Sequence, residues 1–136
     1  MIDINLTACF SVAQHAARIM VAQGSGRVIN IGSIMGHVSR PLLAPYVTAK
    51  GAIAAMTRAM AADLGGTGVT VNALAPGYTA TEFSQANQQD FHDFVRDWTP
   101  ARRWERPRTC AVRPSCSPPT QGHTSTGRCS TSTAAF

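Results

Sequence analysis

From Ile2 to about Gln23 the apolar residues Ile4, Leu6, Phe10, Val12, Ala13, Ala16, Ala17 and Met20 recur at helical spacing, and Gly24-Ser25-Gly26 interrupts them. The period puts an apolar stripe along one helix, and the glycines end it. Arg27-Val28-Ile29-Asn30-Ile31 is short and β-branched between glycines, which predicts a strand feeding a loop from Ser33 to Ala44. Pro45 opens an alanine-rich helix to about Leu64, because proline is preorganised for a first helical turn and Gly65-Gly66 close the run. Val69-Thr70-Val71-Asn72-Ala73-Leu74 reads as a second strand. A strand, a helix and a strand in that order pair in parallel through a right-handed crossover. The pattern therefore predicts an α/β fold, a parallel sheet covered by helices.

After Pro76-Gly77 the segment Glu82 to Trp98 is polar, with Phe83, Phe91, Phe94 and Val95 as its apolar face. It follows the carboxyl end of a strand, where α/β folds place ligands, and so reads as a candidate lid. From Arg108 onward serine, threonine, proline and arginine dominate, Val112 is the only branched aliphatic, and no acidic residue occurs. Such a composition builds no core. The expected organisation is a catalytic unit over 1–107 and a disordered tail over 108–136.

Composition changes this picture little. The 136 residues, 44% of them apolar, suffice for one globular domain. The net charge of +5 comes largely from Arg96, Arg102, Arg103, Arg106, Arg108, Arg113 and Arg128, with no recognition motif beside them, so a nucleic-acid partner is not expected. No run approaches the roughly 18 to 20 apolar residues of a membrane span, and no basic region precedes an apolar signal core, which makes a cytoplasmic protein the default. Cys9 sits alone in a helical pattern; Cys110, Cys116, Cys129 and His123 are irregularly spaced, and no metal site is expected from them.

Tyr46 and Lys50 are four apart in the predicted helix and share a face. An ammonium beside a phenol favours the phenolate, and such a phenol donates a proton to a carbonyl oxygen or removes one from an alcohol while a cofactor handles the hydride. A lone Tyr-x-x-x-Lys is more often a surface tyrosine beside a solvated lysine. Ser33 changes the weighing, since it stands at the carboxyl end of the first strand, on the crevice side of a parallel sheet.

Asn30-Ile31-Gly32-Ser33, Tyr46-x-x-x-Lys50 and Asn72-x-x-x-Pro76-Gly77 occur in the order and spacing of short-chain dehydrogenases/reductases, and over about its middle portion the chain resembles that family. The resemblance implies a partial Rossmann-like, doubly wound parallel sheet and an NAD(P)-linked oxidoreductase acting on a secondary alcohol or ketone. It implies Tyr46 as acid/base, Ser33 as the group orienting the reacting oxygen, and Lys50 as both the tuner of Tyr46 and a ligand of the nicotinamide ribose. Asn5, in Asp3-Ile4-Asn5-Leu6, matches the helix asparagine of the family's proton relay; as a bare residue it is also an ordinary helix-start asparagine. Pro76, Gly77, Tyr78 and Thr81 match the segment that holds the nicotinamide carboxamide, although Thr79 or Thr81 equally suits a helix cap. Within the family the run from Gly32 to Gly36, with Ala44-Pro45-Tyr46 and Ala75-Pro76-Gly77-Tyr78, is most similar to gluconate 5-dehydrogenase-like members, and next to 3-oxoacyl-carrier-protein reductases. A homo-oligomer is the family's expected assembly.

A nicotinamide cofactor, NAD or NADP, needs its pyrophosphate cradled by a glycine-rich turn between a strand and a helix. Gly24-Ser25-Gly26 precedes a strand and lacks that geometry. By resemblance the N-terminal cofactor half of the fold is absent, which leaves a second reading: a non-catalytic remnant unable to bind cofactor alone. Family members continue past an Arg-Pro like Arg106-Pro107 into an acidic helix and end in a strand reading Val-Asp-Gly-Gly. Reading the codons one base earlier permits EDLRGAAVLLAADTGPHVNGQVLHVDGG in place of the tail, so a frameshift near Pro107 is the expectation for 108–136.

Overall fold

The computed structural model describes residues 1–82, 89–107 and 129–131. Its first helical turns, Asp3–Thr7, are π-helical and pass directly into α1, Ala8–Ala22. α1 buries Ala13 and Ala17, whose small side chains let its backbone lie close to its neighbours. β1, Gly26–Ile31, follows the glycine turn expected for it and leads through a single 3-10 turn, Ile34–Gly36, towards α2, Ala44–Asp63. Pro45 sits in the first turn of α2, where its missing N–H has no helical partner to lose. β2, Val69–Ala75, pairs parallel with β1, from Gly26 opposite Val69 to Ile31 opposite Leu74.

The alternation of the strands explains where the core lies. Val28 and Val71 point to the face covered by α1 and α2, where they pack with Ala13, Ala17, Ile53, Met56, Met60 and Ala61. Ile29 and Ile31 point the other way and remain 43% and 53% exposed. This is the α/β, Rossmann-like parallel sheet expected from the sequence, with both long helices on the face just described.

One polar pair is sealed into the interface of strand and helix. Asn30 Nδ2 donates to Thr57 Oγ1 at 2.9 Å, and the Thr57 hydroxyl donates to the Ile53 carbonyl at 2.8 Å. Thr57→Val keeps the shape but leaves the Asn30 amide without its acceptor. The expected loss is about 1–3 kcal/mol, the cost of an unsatisfied buried donor. A urea titration of both proteins checks it, and unchanged midpoints would show that the pair contributes nothing.

Below the sheet two glycine turns meet. Gly24, Gly66 and Gly68 all have positive φ, at 71°, 79° and 82°. Gly68 packs directly on the Gly24 carbonyl, whereas Gly66 faces open space.

Two segments lie only partly within the described residues. The lid segment contains α3, Gln89–Trp98, with Val95 fully buried, but 83–88, and Phe83 with them, lie outside the described residues. Within 108–136, the described residues form β3, Cys129–Thr131, which pairs parallel with Ala73–Ala75 and extends the sheet to the order β1-β2-β3. Strand pairing uses backbone groups that every residue here carries, and β2 offers its free edge to them. Composition does not register this. Residues 108–128 and 132–136, including Cys110, Cys116 and His123, lie outside the described residues. Among the described residues no helix is long and apolar enough to cross a membrane, and no cluster of His, Cys, Asp or Glu could hold a metal ion.

Candidate functional site

Both strands end at the same level, and the loops beyond them are stitched together. Gly32 N–H donates to the Leu74 carbonyl at 2.8 Å, and Ile34 N–H to the Pro76 carbonyl at 3.1 Å. Ser33 lies between these two bonds. Its backbone is extended, and its hydroxyl oxygen accepts from Met35 N–H at 3.1 Å, capping the 3-10 turn. The Ser33 proton remains available to donate. At the end of the turn, Gly36 lies against the backbone of Lys50 in α2, where an added Cβ would stand 2.7 Å from the Lys50 carbonyl oxygen.

A cleft of about 800 Å³ opens above these strand ends, and Ser33, Tyr46, Gly77, Tyr78, Thr79 and Thr81 all line it. Ser33 and Tyr46 thus meet at one cavity, one from a strand end and the other from the first turns of α2. Lys50 does not line this cleft. It borders the adjoining groove along β1, where its ammonium donates to the Ile31 carbonyl at 3.0 Å and lies 5.8 Å from the centre of the Tyr46 ring. The last carbonyl of β1 therefore anchors a positive charge beside the phenol.

Asn5 falls within the π-helical turns, which pack against α2. Its side-chain amide donates to the Met1 carbonyl at 3.1 Å, and no direct hydrogen bond joins it to Lys50. A π-helical turn in a helix often accompanies function, and here it coincides with Asn5.

The segment after β2 is clamped by a distant strip of chain. Glu105 N–H donates to the Tyr78 carbonyl, and Ala80 N–H to the Glu105 carbonyl, both at 2.8 Å. This bridge holds Tyr78 to Thr81 along the cleft wall. The Thr79 hydroxyl donates back to the Gly77 carbonyl at 3.3 Å. The helix that a threonine cap would serve falls partly in 83–88, outside the described residues.

Sequence reasoning passed over Arg40, Phe91 and Trp104 as cleft residues. All three line the same cavity. Tyr78 sits at the centre of an aromatic cluster, edge-to-face with Phe91 at 5.8 Å and with Trp104 at 5.9 Å. The Arg40 guanidinium covers the Phe91 ring at 4.8 Å and the Phe94 ring at 5.8 Å. Burial pushes the Tyr78 hydroxyl above the usual phenol range, and the positive charge of Arg40 partly opposes it. The only signal for Arg40 in the sequence is a cation between Gly36 and Pro41 with no acidic residue near it.

The sequence profile described as short chain dehydrogenase matches residues 1–91. Gluconate 5-dehydrogenase of Gluconobacter oxydans (strain 621H) is 41% identical over 106 residues, which cover 76% of this chain and 41% of that protein. The 3-oxoacyl-[acyl-carrier-protein] reductase of Synechocystis is 37% identical over 112 residues, covering 82% of this chain and 44% of the relative. Among solved structures, a gluconate 5-dehydrogenase from Burkholderia cenocepacia J2315, in complex with NADP and tartrate, superposes with a TM-score of 0.72 at 41% identity. That match covers 78% of this chain and 42% of the other. The chain thus spans about two-fifths of the length of the relatives it matches.

Proposed function

Since the chain belongs to the short-chain dehydrogenase family, we propose that it carries the proton-transfer half of an NAD(P)-dependent oxidoreductase acting on a secondary alcohol or ketone. The meeting of Ser33 and Tyr46 at one cleft, with the Lys50 ammonium anchored behind the phenol, is the observation that carries this reading. In the reducing direction the Tyr46 hydroxyl gives its proton to the substrate carbonyl oxygen, and Ser33 donates a hydrogen bond to the same oxygen. The nearby charge of Lys50 stabilises the phenolate left behind. Asn5 serves as the far end of the proton path through a bridging group, because its amide does not reach Lys50 directly.

A nicotinamide cofactor, NAD or NADP, fits the reactive end of this site. The cleft volume lies within the range of small-molecule sites and has room for a nicotinamide ring beside a small substrate. Pro76, Gly77, Tyr78 and Thr81 would hold the ring and its carboxamide, and Tyr46 and Lys50 the ribose; when bound, the cofactor supplies or accepts the hydride. Its phosphates find no comparable place among the described residues, since Gly24 to Gly26 lead from α1 into β1 and open no helix.

A second reading, a non-catalytic remnant that binds no cofactor alone, is favoured by the open apolar face at Ile29 and Ile31. Titrating NADH or NADPH fluorescence with the purified chain, then offering gluconate and its 5-keto acid, separates the two. Enhanced fluorescence with Tyr46-dependent turnover supports the enzyme; unchanged fluorescence and no turnover leave the remnant. Homo-oligomerisation belongs to the same proposal, supported by Phe10, Val12, Ile19 and Val21, which α1 leaves exposed.

The frameshift near Pro107 is also a proposal. It is supported by β3, since Cys129–Thr131 occupy the positions that the alternative frame spells Val-Leu-His, in a segment resembling the family's last strand. Sequencing the gene tests it: a single-base shift must restore the helix and strand.

A further inference from the structure

We infer that Arg40, together with the Tyr78 hydroxyl and the Trp104 indole, forms a subsite for a carboxylate on the substrate, in the cleft that the proton-transfer pair also lines. The inference rests on the oxidoreductase reading and narrows its substrate to a hydroxy acid or oxo acid.

Arg40 is half-buried and lines the cleft that Ser33 and Tyr46 share. Its planar group rests over Phe91 and Phe94, which occupies its face and leaves its edge, where the N–H donors lie. Among the described residues no carboxylate pairs with it: the ion pairs there join Arg96 to Asp93 and Asp97. A guanidinium withdrawn partly from water, with no counter-charge among the described residues, gains by pairing with an anion that a ligand brings.

Two further donors point to the same conclusion. Trp104 Nε1 is buried without a hydrogen-bond partner, and the Tyr78 hydroxyl, buried beside Arg40, has no acceptor for its proton; both side chains line the cleft. Leaving such a group unpaired costs about 1–3 kcal/mol, so two at one cavity mark a place where a ligand supplies the acceptors. Glu105 does not fill this role. Its carboxylate is buried and unpaired too, but it is not part of the cleft wall. A cation and two neutral donors suit a planar, two-oxygen anion, which guanidinium binds through two parallel hydrogen bonds. A carboxylate placed at Arg40 shares one cavity with Ser33 and Tyr46, so the rest of the substrate occupies the cleft they line.

The test uses the full chain without cofactor and reads the Trp104 indole N–H resonance, assigned by its loss in Trp104→Phe. Gluconate is expected to shift this resonance at millimolar concentration, while sorbitol, the neutral polyol of equal carbon number, leaves it in place. Arg40→Gln is expected to weaken gluconate binding at least tenfold, and Arg40→Lys to restore part of it. Circular dichroism confirms that each variant is folded, and Trp104→Phe, weakened a few-fold by fluorescence of Trp98, provides an independent measure should Arg40→Gln unfold. Equal binding of sorbitol and gluconate, no binding of gluconate, or full affinity in Arg40→Gln overturns the proposal. Tighter binding of inorganic phosphate than of gluconate overturns it as well, by assigning Arg40 to a phosphate. Arg40-dependent gluconate binding without Tyr46-dependent turnover retains the carboxylate subsite and removes the oxidoreductase reading, so the two fail separately.

Discussion

Gly68→Ala is expected to lower the stability of the folded chain by about 3 kcal/mol, against about 1 kcal/mol for the same change at Gly66. Both glycines have positive φ, so both substitutions carry the cost of placing an L side chain in the left-handed region. Only Gly68 meets anything beyond that: its new Cβ runs into the Gly24 carbonyl, backbone that cannot swing aside, whereas a Cβ at Gly66 enters open space. The turn that closes α1 and the turn that opens β2 would have to separate, and the sheet pairing starts immediately above them, at Gly26 and Val69. Denaturant midpoints for the two variants, taken with the parent chain, measure the difference directly. Equal losses at the two positions would show that the contact with Gly24 contributes nothing.

Tyr46→Phe is expected to reduce any nicotinamide-linked turnover by about 10²- to 10⁴-fold, the usual contribution of a positioned acid or base. The change removes one oxygen and keeps the ring that lies beside Lys50, so nicotinamide fluorescence on binding should be retained. The contrast between lost turnover and retained binding distinguishes a proton donor from a residue that merely shapes the cleft. Turnover equal to that of the parent chain would end the assignment. Ser33→Ala should fall between the two, because in the proposed mechanism its hydroxyl positions the oxygen without supplying the transferred proton, and because the Met35 N–H loses its acceptor at the same time.

The elements that frame the cleft are legible in the sequence because each is one apolar period bounded by glycine or proline. The ends of α2 and β2 differ from the reading by about a residue, a margin at which caps and frayed turns are decided by local hydrogen bonds. The π-helical start is not legible, since it changes which carbonyl each N–H meets without changing which residues are apolar. β3 is invisible for a related reason: Cys129–Thr131 pairs by its backbone. Ser33 and Tyr46 are legible as cleft residues from their places at a strand end and a helix start. Lys50 shares the helix face expected of it, yet β1 draws its charge to the neighbouring groove, a preference set by the Ile31 carbonyl. Arg40 and Trp104 become neighbours only through folding, and no local spacing connects them.

Gly36 fixes a tolerance. The turn that carries Ser33 and the helix that carries Tyr46 touch at a point where one of them has no side chain, so their separation is gauged by backbone thickness alone. A single methyl group there would stand 2.7 Å from the Lys50 carbonyl oxygen, where ordinary contact begins at 3.4 Å. Relieving that overlap moves the two supports apart by about 0.7 Å, more than the roughly 0.5 Å within which a catalytic constellation must be held. Gly36→Ala is thus a spacer inserted between the hydroxyl of Ser33 and the phenol of Tyr46, altering their alignment while removing no atom of either side chain.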